Sequence, residues 1–160
     1  MLRIGLGWDL HRLEPGRRFL LGGVEIPFDR GEAGHSDGDA LAHAVIDALL
    51  GAAALGDIGE LFPPGDPRFR DADSLALLRE AWALARRRGF RLLSLDSVVI
   101  CQEPRVLPWR EAIRASLARA LEVSPELVFV KGKTAEGLGD TGRGLAVEAL
   151  ATALLEGGES

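Results

Sequence analysis

Three histidines occur in this chain, His11, His35 and His43, and all fall in two short aspartate-rich stretches, "DLH" at 9–11 and "HSDGDALAH" at 35–43. Asp9 and His11 are two residues apart, so on a strand their side chains leave the same face. His43 follows Asp39 by four residues and precedes Asp47 by four, which puts the three on one face of a helix. One carboxylate and two imidazoles are three ligands for a divalent metal. With the fourth position open, that is the ligand set of a catalytic zinc site. Asp47 is expected to orient His43 through its other ring nitrogen. Taken singly, each histidine reads more readily as a hydrogen-bonded core or surface residue; the three together, with the D-x-H spacing, favour the metal.

A second stretch, "KGKTAEGLGDTGRG" at 131–144, carries both lysines of the chain, Thr134, Glu136, Arg143 and five glycines. Backbone amides and cations in that mix suit an anion such as phosphate, although a glycine-rich turn with solvated charges has the same composition. Two named motifs fail here. "GLGDTG" formally matches a dinucleotide fingerprint, but too little chain follows for the rest of that unit. "GKT" has Leu127 where a phosphate-binding loop needs its first glycine.

These residues need elements to hold them. "LRIGLGWDLHRL" alternates, with Leu2, Ile4, Leu6, Trp8 and Leu10 on one face and Gly5, Gly7, Asp9, His11 and Leu13 on the other, which predicts a strand. "RRFLLGGVEIPF" predicts a hairpin about Gly22-Gly23. A helix is expected from an Asp39 cap to just before Gly56. Residues 56–72 form a long loop of the kind that covers or binds. A second helix follows to Gly89, with Leu75, Leu78, Trp82 and Ala85 as its apolar stripe. Then come a strand in "RLLSLDSVVICQ", a helix from about Pro108 to Leu121, and a strand in "LVFVKG". The tail, "GRGLAVEALATALLEGG", favours helix by propensity. Alternating strands and helices predict an α/β or α+β domain.

The bulk numbers agree with one compact domain over 1–160, with 47% apolar and 27% charged residues. A net charge of −5 argues against a nucleic-acid groove. The single cysteine, Cys101, excludes an intrachain disulfide and fits a reducing compartment. Neither a signal peptide nor an apolar run of membrane length is evident, so a soluble, cytoplasmic protein without membrane contact is expected.

Three stretches, "GLGWDLHRL", "HSDGDALAHAVIDALLGAAALGDIGELFP" and "KTAEGLGDTGRG", together resemble the 2-C-methyl-D-erythritol 2,4-cyclodiphosphate synthases of the non-mevalonate isoprenoid pathway. The resemblance runs from about residue 2 to 155. It implies a single α/β (α+β) domain with a mixed β-sheet, helices packed on one face, and a homotrimer with active sites between subunits. It also implies that the tail is a long strand. The implied reaction is attack of the substrate's own phosphate on the β-phosphorus of a cytidine diphosphate ester, with release of CMP. Zinc, or another divalent cation, falls to Asp9, His11 and His43. Magnesium or manganese falls to Glu136 with the substrate phosphates, and transition-state stabilisation to His35 and Thr134. Ser36, Asp57, Ile58, Gly59, Phe62 and Asp66 match the methylerythritol phosphate end, where "FPPGD" resembles a covering loop. The cytidine pocket falls to Cys101, Pro104, Arg105, Val106 and Leu107, with Lys133, Thr134 and Ala135.

Some positions depart from the family pattern. Arg105 stands where lysine is frequent, which keeps the charge and changes its geometry. Arg143 matches the basic residue of an axial cavity that accepts isoprenoid diphosphates in some members, but Asp140 replaces an apolar neighbour there. Two other functions use parts of the same residues. A metal-dependent phosphoesterase needs the same ligands with water as nucleophile. A non-catalytic trimer that binds isoprenoid diphosphates has no need of Asp9, His11, His43 and Glu136 together.

Overall fold

The computed structural model describes residues 1–157. Its elements are β1 (Leu2–Pro15), β2 (Phe19–Leu21), β3 (Val24–Ile26), β4 (Arg30–Glu32), α1 (Ala40–Ala53), α2 (Ile58–Leu61), α3 (Ser74–Arg87), β5 (Arg91–Ile100), α4 (Arg110–Leu121), β6 (Val128–Lys133), α5 (Gly139–Gly142) and β7 (Ala146–Glu156). Five strands form one mixed sheet in the order β4-β1-β7-β5-β6, and β2 and β3 form a separate hairpin. Only β5 and β6 run parallel. The longer helices cover one face of this single α/β domain. Among the described residues no helix is long and apolar enough to cross a membrane.

Helix α1 decides how the layers meet. It is almost wholly apolar and buried, and it lies against β1 and β7. The inward positions of β1 beneath it are Gly5 and Gly7. A Cβ on Gly5 would stand 1.9 Å from the Ala48 carbonyl oxygen, and one on Gly7 1.8 Å from that of Ala44. The helix therefore sits on strand backbone. The inward residues of β7 beside it, Ala149, Ala151 and Ala153, are equally small and buried.

Those alanines explain why the tail is a strand. Alone, "AVEALATALLE" favours helix, but β7 is paired with β1 from Ala146 to Glu156 and with β5 on its other side. A central strand with its ladder filled on both edges overrides propensity. The hairpin turn falls on Gly22 and Gly23, whose φ values of +57° and +77° suit the primed turns that glycine allows. Asp39 caps α1, as its position before the apolar run predicts. The left-handed cap at the helix end is Ala54, not Gly56. Helix α3 buries Leu77 and Ala81 with Leu78, Trp82 and Ala85, while Leu75 is only half-buried. The 56–72 stretch is not one open loop, since it contains α2 and a 3-10 turn at Pro67–Phe69.

Two fully buried carboxylates tie the hairpin to α1. Asp39 accepts the backbone N–H groups of Gly22, Gly23 and Ala42 at 2.9, 2.6 and 2.9 Å. Glu32 accepts those of Leu20 and Ala40 at 3.0 and 3.2 Å. Burial pushes Asp39 up to about 6 against these stabilising bonds. Burial, and then the nearby Asp39 charge, push Glu32 well above the ordinary carboxylate range.

Replacing Gly7 by alanine drives a methyl group into the α1 backbone, and neither backbone can yield alone. The variant G7A is expected to lose about 3 kcal/mol or more of stability in urea denaturation at fixed protein concentration. An unchanged midpoint would show that the two backbones do not meet as closely as described.

Candidate active site

The alternation of β1 sends Asp9 and His11 inward, next in line after Gly5 and Gly7. Because α1 lies so close there, His43 on its second turn reaches the same point. Asp9 Oδ2 is 2.7 Å from His11 Nε2 and 2.9 Å from His43 Nδ1, and the two nitrogens are 3.2 Å apart. The three can hold a divalent cation. Tetrahedral ligands about 2.0–2.1 Å from zinc stand about 3.3 Å from one another. The widest opening required, on the Asp9–His11 edge of 2.7 Å, is about 0.6 Å, so the donor set fits such an ion.

The other ring nitrogens are engaged too. His11 Nδ1 faces the Ala33 carbonyl oxygen at 2.6 Å. A carbonyl only accepts, so Nδ1 carries the proton and Nε2 is the nitrogen turned to the cluster. His43 Nε2 lies 2.8 Å from Ser74 Oγ and 3.0 Å from Ser36 Oγ. Asp47 does not orient His43, contrary to expectation: its carboxylate accepts the Ile58 N–H at 2.8 Å and holds the start of α2 instead. Asp39, on the same helix face, is spent on the hairpin amides.

Charge within the cluster is coupled. Burial pushes Asp9 upward, but hydrogen bonds from His11 and His43, reinforced by their charge, outweigh it and hold Asp9 at about 2. Burial disfavours the His11 imidazolium, yet the Asp9 hydrogen bond and charge raise His11 above the usual imidazole range.

A cavity of about 240 Å³ opens over the cluster and gathers Asp9, His11, His43, His35, Ser36 and the α2 residues Ile58 and Gly59 with Phe62. Asp57 and Asp66 flank it as caps. Asp57 accepts the Glu60 N–H at 2.9 Å, and the Asp66 carbonyl faces His35 Nε2 at 3.4 Å. Hydrogen bonds from Arg68 hold the Asp66 carboxyl below its ordinary range. Pro64, from the "FPPGD" stretch, is in the lining too, whereas sequence reasoning missed Phe69 and Leu77. Phe69 meets Phe62 edge-on at 5.3 Å, a pairing that no sequence spacing announces.

A second cavity, about 350 Å³, lies at the ends of β5 and β6. Cys101, Pro104, Arg105, Val106, Leu107, Lys133 and Thr134 all line it, and Ala135 and Glu136 follow directly. Gln102, within the same "CQEPRVL" stretch, also contributes, as do Gly132 and Arg110, which sequence reasoning did not place there. The Arg110 guanidinium lies 5.2 Å from the Phe129 ring centre, and Arg114 lies 5.4 Å from the same ring. Burial pushes the Cys101 thiol up to about 12, so it stays protonated. Glu136 is exposed, with Thr134 Oγ1 3.2 Å from its carboxylate. The two cavities share no lining residue. Arg143 lines neither of them and is paired with Asp140.

Residues 2–156 match the model of the YgbB family. The chain is 56% identical over 154 residues to the 2-C-methyl-D-erythritol 2,4-cyclodiphosphate synthase of Moorella thermoacetica, covering 96% of this chain and 94% of that one. A solved 2C-methyl-D-erythritol-2,4-cyclodiphosphate synthase in a CDP-bound form superposes with a TM-score of 0.88 at 45% identity, over 96% of this chain and 100% of the other. The bifunctional IspDF of Campylobacter jejuni superposes with a TM-score of 0.94 at 39% identity; the match covers 97% of this chain and spans 42% of that longer one.

A cation entering the cluster must displace the proton that Asp9 helps His11 to keep. Zinc affinity is therefore expected to rise with pH until His11 is neutral and then level off. Below that plateau, calorimetry in buffers of different ionisation enthalpy should show proton release on binding. Affinity independent of pH, with no proton released, would exclude this cluster as the metal site.

Proposed function

The chain belongs to the YgbB family, and from that membership we propose that it converts 4-diphosphocytidyl-2-C-methyl-D-erythritol 2-phosphate to 2-C-methyl-D-erythritol 2,4-cyclodiphosphate with release of CMP. The observation that carries this reading is the 56% identity, over nearly the full length of both chains, to a synthase of that name. In the reaction an oxygen of the 2-phosphate bonds to the β-phosphorus. The bond from that phosphorus to the α–β bridging oxygen breaks, and CMP leaves with the oxygen. This makes the enzyme a phosphorus–oxygen lyase.

The chain's part is placement and charge. Asp9, His11 and His43 are assigned a divalent cation, zinc by the ligand set, which when bound supplies positive charge to the β-phosphate. Glu136 is assigned magnesium or manganese with the substrate phosphates. Ser36, Ile58, Gly59 and Phe62, with Asp57 and Asp66 at the rim, are assigned the methylerythritol phosphate. His35 and Thr134 are assigned the charge that develops during transfer. The second cavity is assigned the cytidine diphosphate, where Arg105 and Lys133 meet phosphate and Val106 and Leu107 pack on the base. A protonated Cys101 fits a mechanism without a covalent enzyme intermediate. Effective concentration of the tethered phosphate replaces a nucleophilic side chain.

The assembly assigned to the chain is a homotrimer, in the cytoplasm, with 1–160 as one synthase domain. Its support is the outer face of β1, where Leu2, Ile4, Leu6, Trp8 and Leu10 are 45–72% exposed in a continuous row. So large an apolar row on one strand suits burial against further copies. Two separate cavities suit a substrate held where copies meet, its two ends bound by different chains.

Phosphorus NMR of the purified protein with substrate, magnesium and trace zinc tests the reading. CMP together with a cyclic diphosphate is expected. Linear products or free phosphate would show water as the nucleophile, and metal binding without turnover would favour a binding module. Replacing Glu136 by glutamine should leave zinc bound yet raise the magnesium or manganese needed for half-maximal turnover at least about tenfold. An unchanged requirement would remove Glu136 from the second metal.

A further inference from the structure

Ser74 and Asp37 have no assigned part in the site, yet the direction of their hydrogen bonds bears on how His43 presents itself. Ser74 is the first residue of α3, fully buried, and Asp37 lies between β4 and α1. Asp37 Oδ2 accepts the Ser74 backbone N–H at 3.0 Å, and Asp37 Oδ1 accepts the Ser74 hydroxyl. Oδ1 also takes the Asp39 N–H at 3.2 Å. On its other side Ser74 Oγ is 2.8 Å from His43 Nε2.

We propose that Asp37 and Ser74 act as a positioning pair, which holds His43 Nε2 as a proton donor and so leaves Nδ1, facing Asp9 and His11, as the nitrogen that gives its lone pair to a cation. A carboxylate has lone pairs and no proton to give, so the hydroxyl proton of Ser74 is committed to Asp37. Ser74 Oγ then offers only lone pairs to His43, and Nε2 must be the donor. A neutral imidazole carries one proton, so with Nε2 as donor the lone pair falls to Nδ1 once a cation replaces the hydrogen bond that Nδ1 makes to Asp9 Oδ2 at 2.9 Å. A serine without Asp37 can donate just as well as accept. It would then permit the opposite tautomer, with a proton on the nitrogen that a cation needs. His11 reaches the opposite tautomer with a single backbone acceptor, the Ala33 carbonyl. Partners of this kind orient metal-binding histidines and raise their affinity. Ser36 gains from the arrangement: with the Nε2 proton shared onto Ser74, its own hydroxyl proton stays free for the cavity it lines.

The inference rests on the metal-site reading above, and its test separates the two. Zinc-loaded wild-type protein and the variants Ser74→Ala, Asp37→Asn and His43→Ala are titrated with a competing zinc chelator. Proton NMR of nitrogen-15 histidine-labelled, zinc-loaded samples follows the His43 Nε2–H. Ser74→Ala is expected to weaken zinc by ~10- to 100-fold. The Nε2–H signal, slow to exchange in the wild type, should shift and exchange faster. Asp37→Asn should act in the same direction, since an amide accepts from only one of the two Ser74 donors, and it serves as the reading if Ser74→Ala does not fold. Wild-type zinc affinity in a folded variant overturns the pairing, provided His43→Ala loses zinc. Weakened zinc with an unchanged Nε2–H signal overturns it too, because the loss would then come from packing. Should His43→Ala bind zinc like the wild type, the metal site itself falls, and the pairing with it.

Discussion

Backbone against backbone is the contact on which this structure turns. Because Gly5 and Gly7 leave β1 without inward side chains, α1 settles onto the strand at a distance that no other residue permits. That approach carries His43 to Asp9 and His11, although 32 positions separate the two histidines in the chain. The alanines of β7 keep the same helix close along the neighbouring strand. The glycines that make the strand look weak in isolation are what let it hold two of three ligands against a helix holding the third. Helix α1 needs its own restraint, and the buried carboxylates of Glu32 and Asp39 provide it. Their desolvation is costly, as their raised proton affinities record, and five backbone amides offset it.

Much of this could be read from residue order because it depends on local rules. A two-residue period placed Asp9 and His11 on one face, a Gly-Gly pair marked the hairpin, and an acid before an apolar run marked the start of α1. What could not be read depends on partners distant in sequence. β7 has helical composition, and only its two neighbouring strands make it extended. Asp47 has the right helical spacing to serve His43, but the incoming α2 claims its carboxylate. Ser74 reaches His43 from another helix altogether, and nothing in "DADSLALL" points to a histidine 31 residues earlier. Arg110 follows an ordinary "LPW", and its place at the second cavity comes from the way α4 lies along β6. The grouping of Cys101–Leu107 with Lys133 and Thr134 came from family likeness; spacing alone would not have joined them.

The connections between elements also converge on the site. Asp37 N–H donates to the Ala72 carbonyl at 3.1 Å, and Asp71 N–H donates to the His35 carbonyl at 2.9 Å. The segment that carries His35 and Ser36 is thereby stitched to the chain just before α3. Residues of the cavity rim, of the hairpin and of α3 all meet within a few residues of Asp37. Such a junction keeps polar side chains ordered beside a largely apolar cavity without needing long hydrophobic contacts of its own.

The alternation of β1 has an evolutionary consequence. Trp8 and Asp9 are neighbours in the chain, yet one belongs to the outward apolar row and the other to the inward polar cluster. A sheet is one residue thick, so both surfaces are encoded in a single interleaved string. Slipping that string by one position would exchange them wholesale, sending the indole into the α1 crevice and the carboxylate outward. An insertion or deletion of an odd number of residues between Leu2 and His11 would therefore disrupt both surfaces at once. The residues on each face answer to separate constraints while sharing one reading frame of the pleat.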